Sequence, residues 1–155
     1  FETFDYKRHT PYVDQTLKNI GQKISKTTSL LGFAGAPWTV ATYLVEGRPN
    51  KNHTRIKSWL YEDPESLSLA LERVAGATTR YLLGQKESGA HLVQLFDTWI
   101  AEMPLWFFRK HYVPILNSIF SELKKREVPS IYFTKNSQKI ILFWLKKFLG
   151  KLLTL

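Results

Sequence analysis

Ser29-Leu30-Leu31-Gly32-Phe33-Ala34-Gly35-Ala36-Pro37-Trp38-Thr39 is a strand signal running straight into a helix signal. Residues 29–34 are apolar without helical spacing and run into glycine, the pattern of a short buried strand. Pro37 stands where a helix can begin, and Trp38 to Val45 supply two turns before Gly47 and Pro49 end it. Strand followed by helix is one half of a βαβ unit, and the same alternation recurs on both sides of this stretch.

Upstream, Val13, Leu17, Ile20 and Ile24 are spaced for one face of a helix from Pro11 to about Ser25. Downstream, Asp63-Pro64-Glu65 is a helix start: an aspartate to cap free amides, a proline at the first position, and an acid that complements the dipole. Leu67, Leu71, Val74, Thr78, Tyr81 and Gln85 carry the stripe until Gly89. Residues 91–96 predict a second strand and 130–134 a third, β-branched and aromatic. Between them Pro114 divides the helical signal into Leu105–His111 and Val113–Arg126. A last helix is expected from about Ser137. Strands alternating with helices imply parallel pairing, an α/β fold. Three strands fall short of a closed (β/α)₈ barrel of about 250 residues, so the expected architecture is part of such a barrel. Together with a start at Phe1 and a lone Met103, this predicts a piece of a longer protein.

Composition narrows the function. The 155 residues are 44% hydrophobic and 23% charged, as in a globular domain, and contain no cysteine, which excludes disulfides, thiolate metal sites and cysteine nucleophiles. No secretory leader is legible, and a cytoplasmic location is expected. The net charge of +9 would raise nucleic acid as a partner, but Lys135, Lys139, Lys146, Lys147 and Lys151 lie in the last 21 residues with no acid among them. A nucleic-acid-binding face is therefore not expected. Stable membrane insertion is not expected either, since the longest apolar run, 140–145, is far below the ~20 residues a span needs. His9, His53, His91 and His111 are too scattered for a metal site, and no P-loop, dinucleotide fingerprint or serine nucleophile elbow is present.

In parallel α/β folds ligands gather beyond the strand carboxyl ends, here 32–39, 96–99 and 133–136. Gly32 to Thr39 combines small residues that admit a ligand to the backbone with a helix start whose amides suit a carboxylate; a tight turn chosen for packing explains the same residues. Tyr43 is either a hydroxyl donor to a polar ligand or a core tyrosine. Asp97 is read as a cap or loop ligand ahead of a catalytic acid.

Three motifs name a family. Leu30 to Gly47 (LLGFAGAPWTVATYLVEG), Trp59-Leu60-Tyr61-Glu62-Asp63-Pro64 and Gln94-Leu95-Phe96-Asp97-Thr98-Trp99 closely resemble uroporphyrinogen decarboxylase, in the family's order and spacing, over about residues 10–135. The resemblance implies a barrel enzyme that removes carbon dioxide from the four acetate side chains of uroporphyrinogen to give coproporphyrinogen in haem biosynthesis. It implies no metal or organic cofactor, a homodimer for the intact enzyme, and a cleft at the carboxyl end of the barrel. Tyr43 and Thr98 match substrate-binding positions, and Phe33 and Phe96 match aromatics lining the cleft. No catalytic residue is assigned within the chain, because the family's ring-binding aspartate, arginine-rich loop and histidine motif have no counterpart in residues 1–155. The isolated chain is accordingly expected to be inactive.

Departures from the family pattern are Ile100-Ala101 in place of Ala-Gly, where a bulky residue narrows a loop near substrate, and Arg48-Pro49 after Gly47. Residues 1–135 form the expected barrel portion. Residues 136–155 form a divergent basic amphipathic helical tail, attributed to a barrel-type helix or a frameshift ahead of a membrane-surface helix. Two further functions stand beside the decarboxylase: a related cobalamin-linked barrel methyltransferase, expected to carry a His/Cys zinc site, and a non-catalytic remnant that binds porphyrin, membrane or a partner.

Overall fold

The computed structural model describes residues 3–47 and 52–135. Three parallel strands, β1 (Leu31–Gly35), β2 (Leu92–Asp97) and β3 (Ser130–Thr134), form one sheet in the order β1-β2-β3. Leu31 pairs with Leu92 and Gly35 with Phe96; Val93 pairs with Ser130 and Asp97 with Thr134. The helices are α1 (Tyr6–His9), α2 (Pro11–Lys23), α3 (Pro37–Glu46), α4 (Thr54–Glu62), α5 (Pro64–Glu87), α6 (Leu105–Phe107) and α7 (Val113–Lys125). The predicted tail helix and the Arg48-Pro49 departure lie outside the described residues.

Side chains alternate across a strand, and here the two faces meet different surroundings. Ala34, Val93 and Leu95 point to the helical side and are buried with Trp38 of α3, Leu67, Leu71 and Leu82 of α5, and Leu116 and Ile119 of α7. Leu31, Phe33, Ile131 and Phe133, on the other face, are 38–59% exposed. Helices thus cover one side of the sheet only among the described residues. This is an arc of a (β/α)₈ barrel with its inner wall open.

Local signals explain most element boundaries. The Asp63 carboxylate accepts the Ser66 N–H at 3.0 Å, with Pro64 at the first helical position. Gly47 ends α3 at φ +66°, a left-handed conformation that suits glycine, and its N–H donates to the Tyr43 carbonyl at 3.0 Å. Within α5 the buried stripe rotates, so Ala75 and Leu82 are enclosed while Val74 and Tyr81 are only half-buried.

Two readings are corrected. Leu105 to Lys125 is one helical run and not two pieces, because the segment Phe108–Tyr112 widens into a π turn immediately before Pro114. A π turn absorbs the proline that an unbroken α-helix would not accommodate. Second, α4 has no counterpart in the sequence reading. Its start is capped from a distance: Oε1 of the buried Glu46, at the end of α3, accepts the N–H groups of Arg55 at 3.0 Å and Ile56 at 3.3 Å.

Candidate functional site

Beyond the carboxyl ends of β1 and β2 the chain turns sharply, and the turns are cross-tied. The Ala36 N–H donates to the Phe96 carbonyl at 2.7 Å, which sets the start of α3 against β2. The glycines here serve packing. A side chain at Gly32 would press on Gln85 and Ala90, and one at Gly35 on Val40. Gln85, seated in the space Gly32 leaves, accepts the Phe33 N–H at 2.9 Å and donates to the Phe33 carbonyl at 2.8 Å. The expected anion-receiving amides at the start of α3 are in part used as well. Pro37 has none, and the Trp38 N–H donates to the Tyr112 hydroxyl at 3.1 Å.

The open face carries an aromatic row. Phe33 meets Phe96 edge-on with ring centroids 5.8 Å apart, and Phe96 meets Phe133 at 5.3 Å. Phe133 was not singled out from sequence; its register opposite Phe96 across the β2–β3 pair is what brings it there. Tyr43, on α3, is half-exposed and packs edge-on against Trp99 at 6.5 Å. Thr98 is half-buried in the turn directly after β2. Phe33 and Phe96 are therefore in mutual contact, while Tyr43 joins the Thr98 turn through Trp99. Ile100, expected to narrow this loop, is instead fully buried in the core.

Behind the row lies a polar cluster that sequence reasoning missed. Asp97 closes β2 with its side chain on the helical face, fully buried, neither capping a helix nor reaching the open face. Its Oδ1 accepts the Thr39 hydroxyl at 2.9 Å, and its Oδ2 accepts the hydroxyls of Tyr112 and Tyr132, both at 2.8 Å. Burial pushes the Asp97 carboxyl up to about 6, against the opposing pull of the three hydroxyls, while both tyrosines are raised and remain donors. No spacing rule joins Thr39, Asp97, Tyr112 and Tyr132, which come from four separate elements.

A second group, built on the buried His53, braces Trp99. The His53 ring lies 4.6 Å from it and meets Glu102 Oε2 through Nδ1 at 2.9 Å, with Lys57 Nζ 2.7 Å from the same oxygen. Burial alone would raise Glu102, but the hydrogen bonds from Lys57 and His53 hold it below the usual carboxylate range.

The Asp97 geometry has a measurable pH consequence. A carboxyl with a raised folded pKa binds its proton more tightly in the native state, so its contribution to stability is greatest at low pH and is lost as pH rises from about 4 to about 6. A displacement from 3.8 to about 6 corresponds to roughly 3 kcal/mol. Urea unfolding between pH 4 and 6.5 is expected to show the wild-type chain losing stability relative to Asp97→Asn with increasing pH. A relative gain over that window contradicts the assignment.

Fold and site together define an arc of a parallel (β/α)₈ barrel with an aromatic inner wall. A solved methyltransferase from Methanosarcina mazei shares the fold, with a TM-score of 0.68 at 21% identity over 81% of this chain and 35% of that one. The sequence profile of the uroporphyrinogen decarboxylase (URO-D) family matches residues 2–152. The uroporphyrinogen decarboxylase of Bacillus subtilis is 36% identical over 129 residues, 83% of this chain and 36% of that protein. That of Rhodospirillum rubrum is 39% identical over 127 residues, 81% of this chain and 36% of the relative. The chain belongs to the uroporphyrinogen decarboxylase family, and it spans little more than a third of the length of these relatives.

Proposed function

We propose that the chain supplies a substrate-lining arc of a uroporphyrinogen decarboxylase, the enzyme that converts the four acetate side chains of uroporphyrinogen to methyl groups. The observation that carries the reading is the row Phe33, Phe96 and Phe133 on the open face of the sheet, in a chain matching this family over nearly its whole length. A flat macrocycle needs an apolar wall that excludes water from one face, and these rings supply it.

Loss of carbon dioxide from a pyrrole acetate requires a proton on the ring first, so that the electron pair of the breaking C–C bond enters the ring. A second proton then completes the methyl group, and the first leaves the ring carbon to restore the aromatic pyrrole, so that one proton is taken up for each carbon dioxide lost. Hydroxyls at Tyr43 and Thr98 hold the departing carboxylate in line for bond breaking. Among the described residues the open face of the sheet carries no acid: Leu31, Phe33, Gly35, Leu92, Gln94, Phe96, Ile131 and Phe133 line it. On the family resemblance, the acid that protonates the ring is assigned to another segment of the whole enzyme, and no metal or organic cofactor enters the scheme. A whole enzyme of this kind acts as a homodimer in the cytoplasm.

The fold neighbour from Methanosarcina mazei, at 21% identity, speaks for the barrel alone, whereas the family relatives favour decarboxylation. The test joins residues 1–135 to the flanking barrel segments of a family member. The unfused chain is expected to convert uroporphyrinogen no faster than buffer, and the fusion to regain turnover. In the fusion, Tyr43→Phe is expected to lower kcat about 10- to 100-fold by deleting one positioned hydroxyl. Turnover by the unfused chain, or an unchanged kcat in the variant, contradicts these roles.

A further inference from the structure

We propose that Asp97 is a positioning residue of the cleft, holding the first turn of α3 against the turn after β2 and so setting where Tyr43 and Thr98 present their hydroxyls. The proposal rests on the reading of those two side chains given above, and its test is arranged so that either can fail alone.

Asp97 cannot act on a ligand directly, since its side chain is fully buried on the side of the sheet away from the aromatic row. What it does touch is distributed with a purpose visible in the geometry. Thr39 comes from α3, Tyr112 from the π turn and Tyr132 from β3, and each donates a hydroxyl hydrogen to the one carboxylate. Two of these donors pass the constraint on. Tyr112 accepts the Trp38 N–H at 3.1 Å, fixing the α3 backbone. Thr39 Oγ1 accepts the Trp99 N–H at 3.4 Å, and the Trp38 indole donates to the Trp99 carbonyl at 3.0 Å. Thr98 therefore lies between two anchored neighbours, the Asp97 side chain and both main-chain groups of Trp99.

Tyr43 is held by the same device from the other direction. Thr39 and Tyr43 are four residues apart on α3, hence on adjoining positions of one helix face, so any rotation that releases Thr39 from Asp97 carries Tyr43 with it. The Tyr43 ring rests on Trp99, whose backbone is tied to Thr39 and Trp38. A carboxylate suits the hub because it accepts all three hydroxyls and donates nothing; an asparagine of the same shape turns two N–H donors toward groups that are themselves donors. Packing alone does not call for a buried carboxyl, since an apolar side chain of similar volume fills such a space at lower cost.

The test uses the 155-residue chain with two readouts: the nuclear Overhauser contact between the Tyr43 ring and the Trp99 indole, and the affinity for uroporphyrinogen measured by anaerobic titration. Thr39→Val removes the tie between Asp97 and α3 at nearly constant volume. It is expected to abolish the ring contact and weaken binding about tenfold, the scale of one charge-assisted hydrogen bond. Thr39→Ser keeps the hydroxyl and is expected to restore both. Tyr132→Phe cuts the tie to β3, away from Tyr43 and Thr98, and is expected to lower the urea midpoint while leaving affinity within about twofold.

A Thr39→Val chain that keeps both the ring contact and the affinity overturns the proposal. So does a Tyr132→Phe chain whose affinity falls as far as that of Thr39→Val, because the effect would then track stability alone. Should Thr39→Val not fold, Thr39→Ala against Thr39→Ser reads the same contrast. If the wild-type chain binds no uroporphyrinogen, the assignment of Tyr43 and Thr98 to substrate fails, while the ring contact still decides the role of Asp97.

Discussion

Replacing Trp38 by alanine is expected to abolish the cooperative unfolding transition of the chain. Trp38 is 1% exposed and is the largest fully buried side chain of the core. It occupies the first turn of α3, where its indole N–H donates to the Trp99 carbonyl at 3.0 Å. Truncation leaves a cavity in the core that α3 shares with β2 and α5, and removes one of the two donors to the Trp99 carbonyl, which keeps the Glu102 N–H at 3.0 Å. Losses of this kind run to about 3–5 kcal/mol. A domain of this size has roughly 5–15 kcal/mol in hand, and one with an uncovered sheet face sits toward the low end. Thermal scans by circular dichroism are expected to show a broad, featureless loss of signal in Trp38→Ala. A sharp transition within a few degrees of wild type contradicts the packing described for α3.

The second large effect concerns association. Leu31, Phe33, Ile131 and Phe133 lie on one face of the sheet at 38–59% exposure, and β1 and β3 each have a single strand neighbour among the described residues. Contiguous exposed apolar surface bordered by open strand edges drives pairing between chains. Sedimentation of the wild-type chain is expected to depend on concentration from about 10 µM upward. The double substitution Phe33→Ser and Phe133→Ser removes the two most exposed rings of the face and is expected to give a monomer. Since both rings are only partly buried, the urea midpoint is expected to move little. A wild-type chain that sediments as a monomer throughout that range contradicts this view of the open face.

The three strands and the main helices were legible because they rest on local signals. Asp63-Pro64 caps α5 within three residues, and Gly47 ends α3 by its own backbone preference. Phe33 and Phe96 came from the family resemblance and not from a local signal; strand alternation and register put them on one face of the sheet, in ring contact. What escaped the sequence is what depends on distant partners. The α4 helix owes its start to Glu46 across a loop, and the π turn at Phe108–Tyr112 reconciles Pro114 with helix packing. Phe133 joins the aromatic row through strand register, and Thr39, Tyr112 and Tyr132 meet at Asp97 although up to 93 positions separate the first from the last. The glycines of the β1–α3 turn were half-read: their small size is real, but it serves Gln85 and Val40.

Residue-resolved titration of the chain with uroporphyrinogen, followed by amide and aromatic chemical shifts under anaerobic conditions, examines the binding surface directly. Shifts concentrated at Phe33, Phe96 and Phe133, extending to Tyr43 and Thr98 and sparing Leu116 and Ile119 on the covered side, are the predicted result. Shifts confined to the helical side, or none at saturating porphyrinogen, would contradict the placement of the substrate against the open face of the sheet.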